Sequence, residues 1–175
     1  MTETRVRRGR AAARSSRTNP SRAALAQTDG LQIRSARRAD LDPIITIDAS
    51  VTGLEKRKYW LSVFRRYGQG ERSGQQFLVA LQQGQVVGFV IGEVRDWEFG
   101  SPPCGWVFAI DVAPQARLAG VGTALLQAIS AGFRRAGVRK LRTLLARDNT
   151  LILSFFRSQG LMAGALMSLE IDLDD

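Results

Sequence analysis

Histidine is absent from this 175-residue chain. That removes the side chain whose ordinary pKa lies nearest neutrality. It excludes imidazole bases, Ser-His-Asp triads and histidine-ligated metals. Cysteine occurs once, at Cys104, so no intramolecular disulfide forms and a Cys/His zinc site has too few ligands. The lone thiol suits a reducing compartment, and the cytoplasm is the expected location. No apolar run approaches the roughly 20 residues that span a bilayer. No apolar stretch follows the basic start to make a secretory signal. Acidic residues are scarce at the start, where residues 1–30 hold seven Arg against Glu3 and Asp29.

The charge of +9 is therefore unevenly placed. The first 30 residues carry +5 and the other 145 carry +4. Residues 1–28 are rich in Arg, Ala and Ser and lack an apolar period, so they read as a disordered basic tail. A solvated extension is the default meaning of such a tail. Electrostatic contact with nucleic acid or the ribosome is an alternative, although no aromatics are interleaved for base stacking. An organelle transit peptide is another. Residues 29–175 are long enough for one domain with a real core.

Along that domain the pattern alternates between period 2 and period 3.6. A first strand spans 31–35, and Asp40 with Pro43 opens a helix that runs to about residue 50. A second helix, about 55–67, carries the stripe Tyr59, Trp60, Val63, Phe64 and Tyr67, read as core. Strands follow at 77–81 and 86–94, joined by a Gln83-Gly84 hairpin turn. Then come a strand at 105–112, a helix at 119–136, a strand at 140–146, a short helix from Asp148-Asn149 to about Gln159-Gly160, and a last strand at 166–173. This order predicts a mixed α/β sheet with antiparallel hairpins and one parallel crossover.

The densest chemical signal is Val112 to Leu126. A strand end and a Pro114 turn lead into Arg117-Leu118-Ala119-Gly120-Val121-Gly122-Thr123, which opens an amphipathic helix. Small residues let backbone N–H groups approach an anion, and the helix N-terminus adds partial positive charge. A dinucleotide fingerprint is excluded, because its third glycine position is Leu125.

With Arg117, Gly120 and Gly122 in the pattern Gln/Arg-x-x-Gly-x-Gly/Ala, the chain resembles the GNAT (Gcn5-related) N-acetyltransferase superfamily. A second element agrees at Asn149 and Gly160, and the resemblance covers about residues 31–173. It implies a twisted sheet of about six to seven strands flanked by about four helices. It also implies acetyl-CoA as co-substrate and direct transfer of the acetyl group to a primary amine in a ternary complex, without metal. A small amine and a protein or peptide acceptor both remain open. A non-catalytic acyl-CoA-binding module is the alternative. Such folds often pair through edge strands or the last strand, so the resemblance makes a homodimer a candidate assembly.

Carried over residue by residue, the pyrophosphate cradle is Leu118, Ala119, Gly120, Val121, Gly122 and Thr123. Arg117 caps the loop or contacts phosphate. The fourth strand supplies Ile110 and Val112 for the pantetheine arm, with a backbone N–H holding the developing oxyanion. Asn149 serves the same arm, or caps its helix, or both. Phe156 stands where many members carry the Tyr that protonates the departing thiolate, so here that role is missing, is supplied by water or is unnecessary, and Phe156 is expected to pack against the pantetheine arm. The base that deprotonates the amine is expected among carboxylates, with Glu93 first and Asp111 beside it, and Asp96 and Glu98 behind. Cys104, with no imidazole to activate it, is not expected to act as a nucleophile. Trp97, Phe99 and Trp106 read as hairpin packing or as an acceptor lip.

Overall fold

A computed structural model describes residues 30–69 and 74–173. The basic tail expected over residues 1–28 lies outside these residues. Five strands form one sheet in the order β1-β2-β3-β4-β5. They are β1 (Leu31–Ser35), β2 (Gln75–Gln82), β3 (Gln85–Arg95), β4 (Cys104–Val112) and β5 (Leu141–Arg142). The first four pair antiparallel in chain order, and β5 joins β4 in parallel. The helices are α1 (Leu41–Thr52), α2 (Arg57–Tyr67), α3 (Val121–Arg135) and α4 (Thr150–Ser158).

Both sheet faces are covered, which is why β2 is buried from Gln76 to Leu81 instead of alternating. On one face Trp60 of α2 meets Phe89 edge-on at 5.0 Å and Phe77 at 6.3 Å. On the other face α3 turns Leu125, Ile129 and Phe133 onto the sheet, all of them buried. The β2–β3 hairpin closes through Gln83 and Gly84, both left-handed at φ 51 and 77, as the strand twist requires of a tight turn. Asp40 sits where the sequence places a helix N-cap, but its carboxylate does not cap α1. It accepts two hydrogen bonds from Arg34, at 2.6 and 2.8 Å, and one from the Arg37 N–H.

Two expectations need correction. The strand expected at 140–146 contracts to Leu141–Arg142, and residues 166–173 form no strand. The sheet therefore has five strands among the described residues, not six to seven. A strand needs a partner for its backbone groups. Beyond Arg142 the β5 segment has left β4, and residues 166–173 lie with Leu166, Met167, Leu169, Ile171 and Leu173 exposed.

Candidate active site

Strand β4 creates the site by changing parity. Ile91 pairs with Ala109 and Gly92 with Val107, so Phe108 has no residue opposite and forms a bulge. Below the bulge, Gly105 donates to the Lys140 carbonyl on the β5 side. Above it, Ala113 donates to the Val87 carbonyl on the β3 side. Alternation then aims the backbone groups of Ile110 and Val112 away from β3. β5 pairs only as far as Trp106, so that upper edge of β4 has no partner strand among the described residues. A cavity of about 560 Å³ fills the gap, within the range of small-molecule sites.

One end of the cavity is the cradle. Leu118 and Gly120 are left-handed at φ 68 and 77. A non-glycine residue in that region is strained by about 1 to 3 kcal/mol, and such strain gathers at ligand clamps. Gly120 is the N-cap of α3 and supplies no side-chain oxygen. The first helical bond runs from Ala124 N–H back to the Gly120 carbonyl, which leaves the N–H groups of Val121, Gly122 and Thr123 as helix-start donors. No Cβ-sized space around Gly120 is occupied within 4 Å, whereas a Cβ on Gly122 would lie 3.1 Å from the Phe155 ring. Glycine at 120 thus answers a backbone conformation, and glycine at 122 answers close packing against α4.

Ile110, Asp111, Val112, Arg117, Leu118, Gly120, Val121, Gly122 and Thr123 line the cavity, as do Asn149 and Phe156; Ala119 and Glu93 do not. Arg117 Nε donates to the Val112 carbonyl at 3.3 Å, bracing the free end of β4. Asn149 accepts from the Ile152 N–H at 3.2 Å and so caps α4, which leaves its amide N–H₂ as the group able to face a ligand. Phe156 is 3% exposed and packs against Phe155 at 5.2 Å. Cys104 is buried off the cavity. Trp97 and Phe99 are exposed, and Trp106 lies under Arg95 at 4.7 Å.

The two leading carboxylates occupy one face of the sheet in different surroundings. Glu93 accepts from Tyr67 Oη at 2.9 Å and Arg95 Nε at 3.1 Å. Burial, with Glu93 as hydrogen-bond partner, pushes the Tyr67 phenol up to about 12. Asp111 opens onto the cavity and forms no ion pair among the described residues. Burial, helped by the charge of Asp48, pushes its carboxyl up to about 6 despite Arg117 and Lys56. Asp48 is itself buried and held by Lys56 at 3.0 Å and Trp60 Nε1 at 2.8 Å. Sequence reading did not single out Phe155, Val51 or Phe108 as cavity walls. An aromatic in α4 or β4 reads as core, and only the tertiary fold brings Phe155 over Gly122.

The model of the acetyltransferase (GNAT) family matches residues 43–161, more than half of the chain. The chain belongs to the GNAT family. One curated relative, an L-2,4-diaminobutyric acid acetyltransferase from Nocardia farcinica (strain IFM 10152), is 34% identical over 91 residues. That match takes in 52% of this chain, which spans about half, 46%, of the relative's length. Among solved structures, aminoglycoside N-acetyltransferase AAC(6')-Iy in complex with CoA superposes with a TM-score of 0.71 at 18% identity. The superposition covers 82% of this chain and 95% of that one. A transcriptional regulator from Bacillus halodurans C-125 superposes with a TM-score of 0.69 at 17% identity, covering 82% and 99%. These two likenesses establish the GNAT fold. Within it, the parity change in β4 and the α3 cradle are the two features that shape this chain's cavity.

Proposed function

We propose that this GNAT protein is an acetyl-CoA-dependent N-acetyltransferase acting on a primary amine by direct transfer. One observation carries the reading: a single cavity runs from the uncapped start of α3, along the unpaired edge of β4, to the Asp111 carboxylate. The donors fit an anionic ligand, since three successive helix-start N–H groups face a loop with room above Gly120. When bound, acetyl-CoA supplies the acyl group as a thioester. Val121, Gly122 and Thr123 hold its phosphates. The N–H of Ile110 or Val112 donates to the thioester carbonyl and stabilises negative charge as it develops there.

Asp111 serves as the base, directly or through water. Raised to about 6, it is ionised at neutral pH yet accepts a proton more readily than an ordinary carboxylate. Glu93 is engaged by Tyr67 and Arg95 and set back from the cavity, so we assign it to positioning. Phe156 offers no proton, and the departing thiolate takes one from solvent. The anionic Asp111 among the apolar walls Val51, Phe108 and Leu144 favours a cationic amine on a short apolar body. Diaminobutyric acid and aminoglycosides, named for the relatives, are the first acceptors to test. A reducing cytoplasm suits the buried thiol of Cys104.

Mass spectrometry of small diamines, amino sugars and peptides incubated with acetyl-CoA tests this. The expected product is 42 Da heavier, the roughly constant mass of an acetyl group replacing hydrogen. Gly120→Val, which places a β-branched residue at φ 77, should raise the KM for acetyl-CoA about tenfold or more. Phe156 in place of a phenol favours a second reading, a non-catalytic acyl-CoA-binding module. Tight binding of acetyl-CoA without turnover of any acceptor would select it.

A further inference from the structure

Lysine is rare in this chain. Only three of its 25 basic residues are lysines: Lys56, Lys58 and Lys140. The difference from arginine is chemical. A guanidinium stays protonated and offers no nucleophile, whereas a lysine amine becomes one on losing a single proton. Lys58 is exposed on α2. Lys140 is exposed too, and its carbonyl accepts from Gly105 below the β4 bulge, away from the cavity.

Lys56 is placed differently. It lies just beyond the end of α1, and Val51 in that last turn is a cavity wall. Its Nζ is 3.0 Å from Asp48 Oδ1, and Asp48 Oδ2 accepts from Trp60 Nε1 at 2.8 Å. The Trp60 ring meets Phe89 edge-on at 5.0 Å. Phe89 stands directly opposite Asp111 across β3 and β4, so those two side chains share a face of the sheet. Lys56, Asp48, Trp60, Phe89 and Asp111 thus make one contiguous patch beside the cavity, and the charges of Lys56 and Asp48 both act on Asp111. The Lys56 side chain is 35% exposed, and a turn of its flexible four-carbon stem carries Nζ from Asp48 toward Asp111.

We propose that Lys56 is an acetyl acceptor within its own chain, a site of self-acetylation. The proposal rests on the reading of this chain as an acetyltransferase. Asp111 takes a proton from the Lys56 ammonium, and the neutral Nζ attacks the thioester carbonyl carbon of acetyl-CoA. The C–N bond forms, the C–S bond breaks, and CoA leaves as the thiolate and takes a proton from solvent. The amide that results carries no charge. Asp48, Arg117 and Lys56 are the charges that face Asp111, and acetylation removes one of the two cations that favour its ionised form. The labelled chain therefore needs a higher pH to work, so the modification restrains the enzyme that makes it.

The full chain incubated with acetyl-CoA alone, followed by intact mass and peptide mapping, tests this. One acetyl group per chain should appear at Lys56, at a rate independent of protein concentration. Lys58, Lys140 and the N-terminal amine report uncatalysed acylation in the same sample. Lys56→Arg should gain no acetyl group, and Asp111→Asn should slow the labelling about 100-fold. The acidic limb of the pH–rate profile toward an added amine should lie higher for labelled than for unlabelled chain. Labelling of Lys56 no faster than the three other amines, a rate proportional to protein concentration, undiminished labelling in Asp111→Asn, or an unmoved acidic limb overturns the proposal. An added amine acetylated while Lys56 stays free overturns it alone; failure of both overturns the acetyltransferase reading with it.

Discussion

Asp111→Asn should make this protein more stable and nearly inactive. Burial raises the Asp111 carboxyl from 3.8 to about 6, so folding penalises its charged form. Two units correspond to about 3 kcal/mol at neutral pH, and screening by solvent at this partly open cavity reduces that to about 1 to 2 kcal/mol. The sign follows from proton binding. Below about pH 4 the carboxyl is protonated in both folded and unfolded chains, and no penalty exists. Between about 4 and 6 the unfolded chain ionises first and stability falls; above about 6 the penalty is complete. Asparagine never ionises. Its advantage should be absent at pH 4 and reach about 4 °C in Tm at pH 7.5. Over the same range the wild-type kcat/KM should rise through about pH 6 as the base ionises, while the variant stays about 100-fold lower or more. Thermal melts at both pH values and a pH–rate profile check the two halves together. An asparagine variant no more stable than wild type at pH 7.5, or equally favoured at pH 4, would refute the claim that Asp111 is held as a desolvated base.

The other carboxylates give sharper contrasts. Glu93→Gln should keep kcat within about threefold, since its carboxylate serves Tyr67 and Arg95 outside the cavity; a loss matching Asp111→Asn would restore Glu93 as the base. Asp48→Asn removes a charge that helps raise Asp111 while burial, the larger cause, remains. The acidic limb of the pH–rate profile should therefore shift below 6 without returning to 3.8, and an upward shift would contradict this. Burial pushes the Asp40 carboxyl up, but hydrogen bonds from Arg34 and the Arg37 N–H outweigh it and hold it below the usual range. Arg34→Gln should cost about 2 kcal/mol at pH 7. That deficit should shrink in denaturant titrations as pH falls below about 4 and through the lowered folded-state value.

What the sequence disclosed about the fold is what local chemistry decides. The Gln83-Gly84 turn, the Pro114 turn and the start of α3 at Gly120 each depend on a few adjacent residues, and each appears in the structure. The four helices follow from their apolar periods. The last strand failed for the opposite reason. Residues 166–173 have the right period, but a strand exists only where another backbone accepts its hydrogen bonds, and nothing local supplies one. The same logic cut β5 to Leu141–Arg142, because its neighbour turns away.

The two glycines of the proposed cradle were legible because the backbone demands glycine at 120 and closeness at 122, and glycine is visible in a sequence. Which carboxylate to propose as the base was not. Glu93 and Asp111 both sit on strands beside apolar residues, and sequence gives no ground for preferring the second. The difference comes from the tertiary surroundings: Tyr67, 26 residues before Glu93, donates to one carboxylate, whereas burial, helped by the charge of Asp48, raises the other. The bulge at Phe108 adds a second long-range decision. It arises from register against β3, and that register turns Ile110 and Val112 toward the cavity. A single deletion at Phe108 would keep every motif residue in the chain. It would also leave those two N–H groups facing away from β3, because the pairs above the bulge are kept; a one-residue slip that pairs Phe108 with Ile91 would instead turn them inward and leave the cradle without the strand edge that connects it to Asp111.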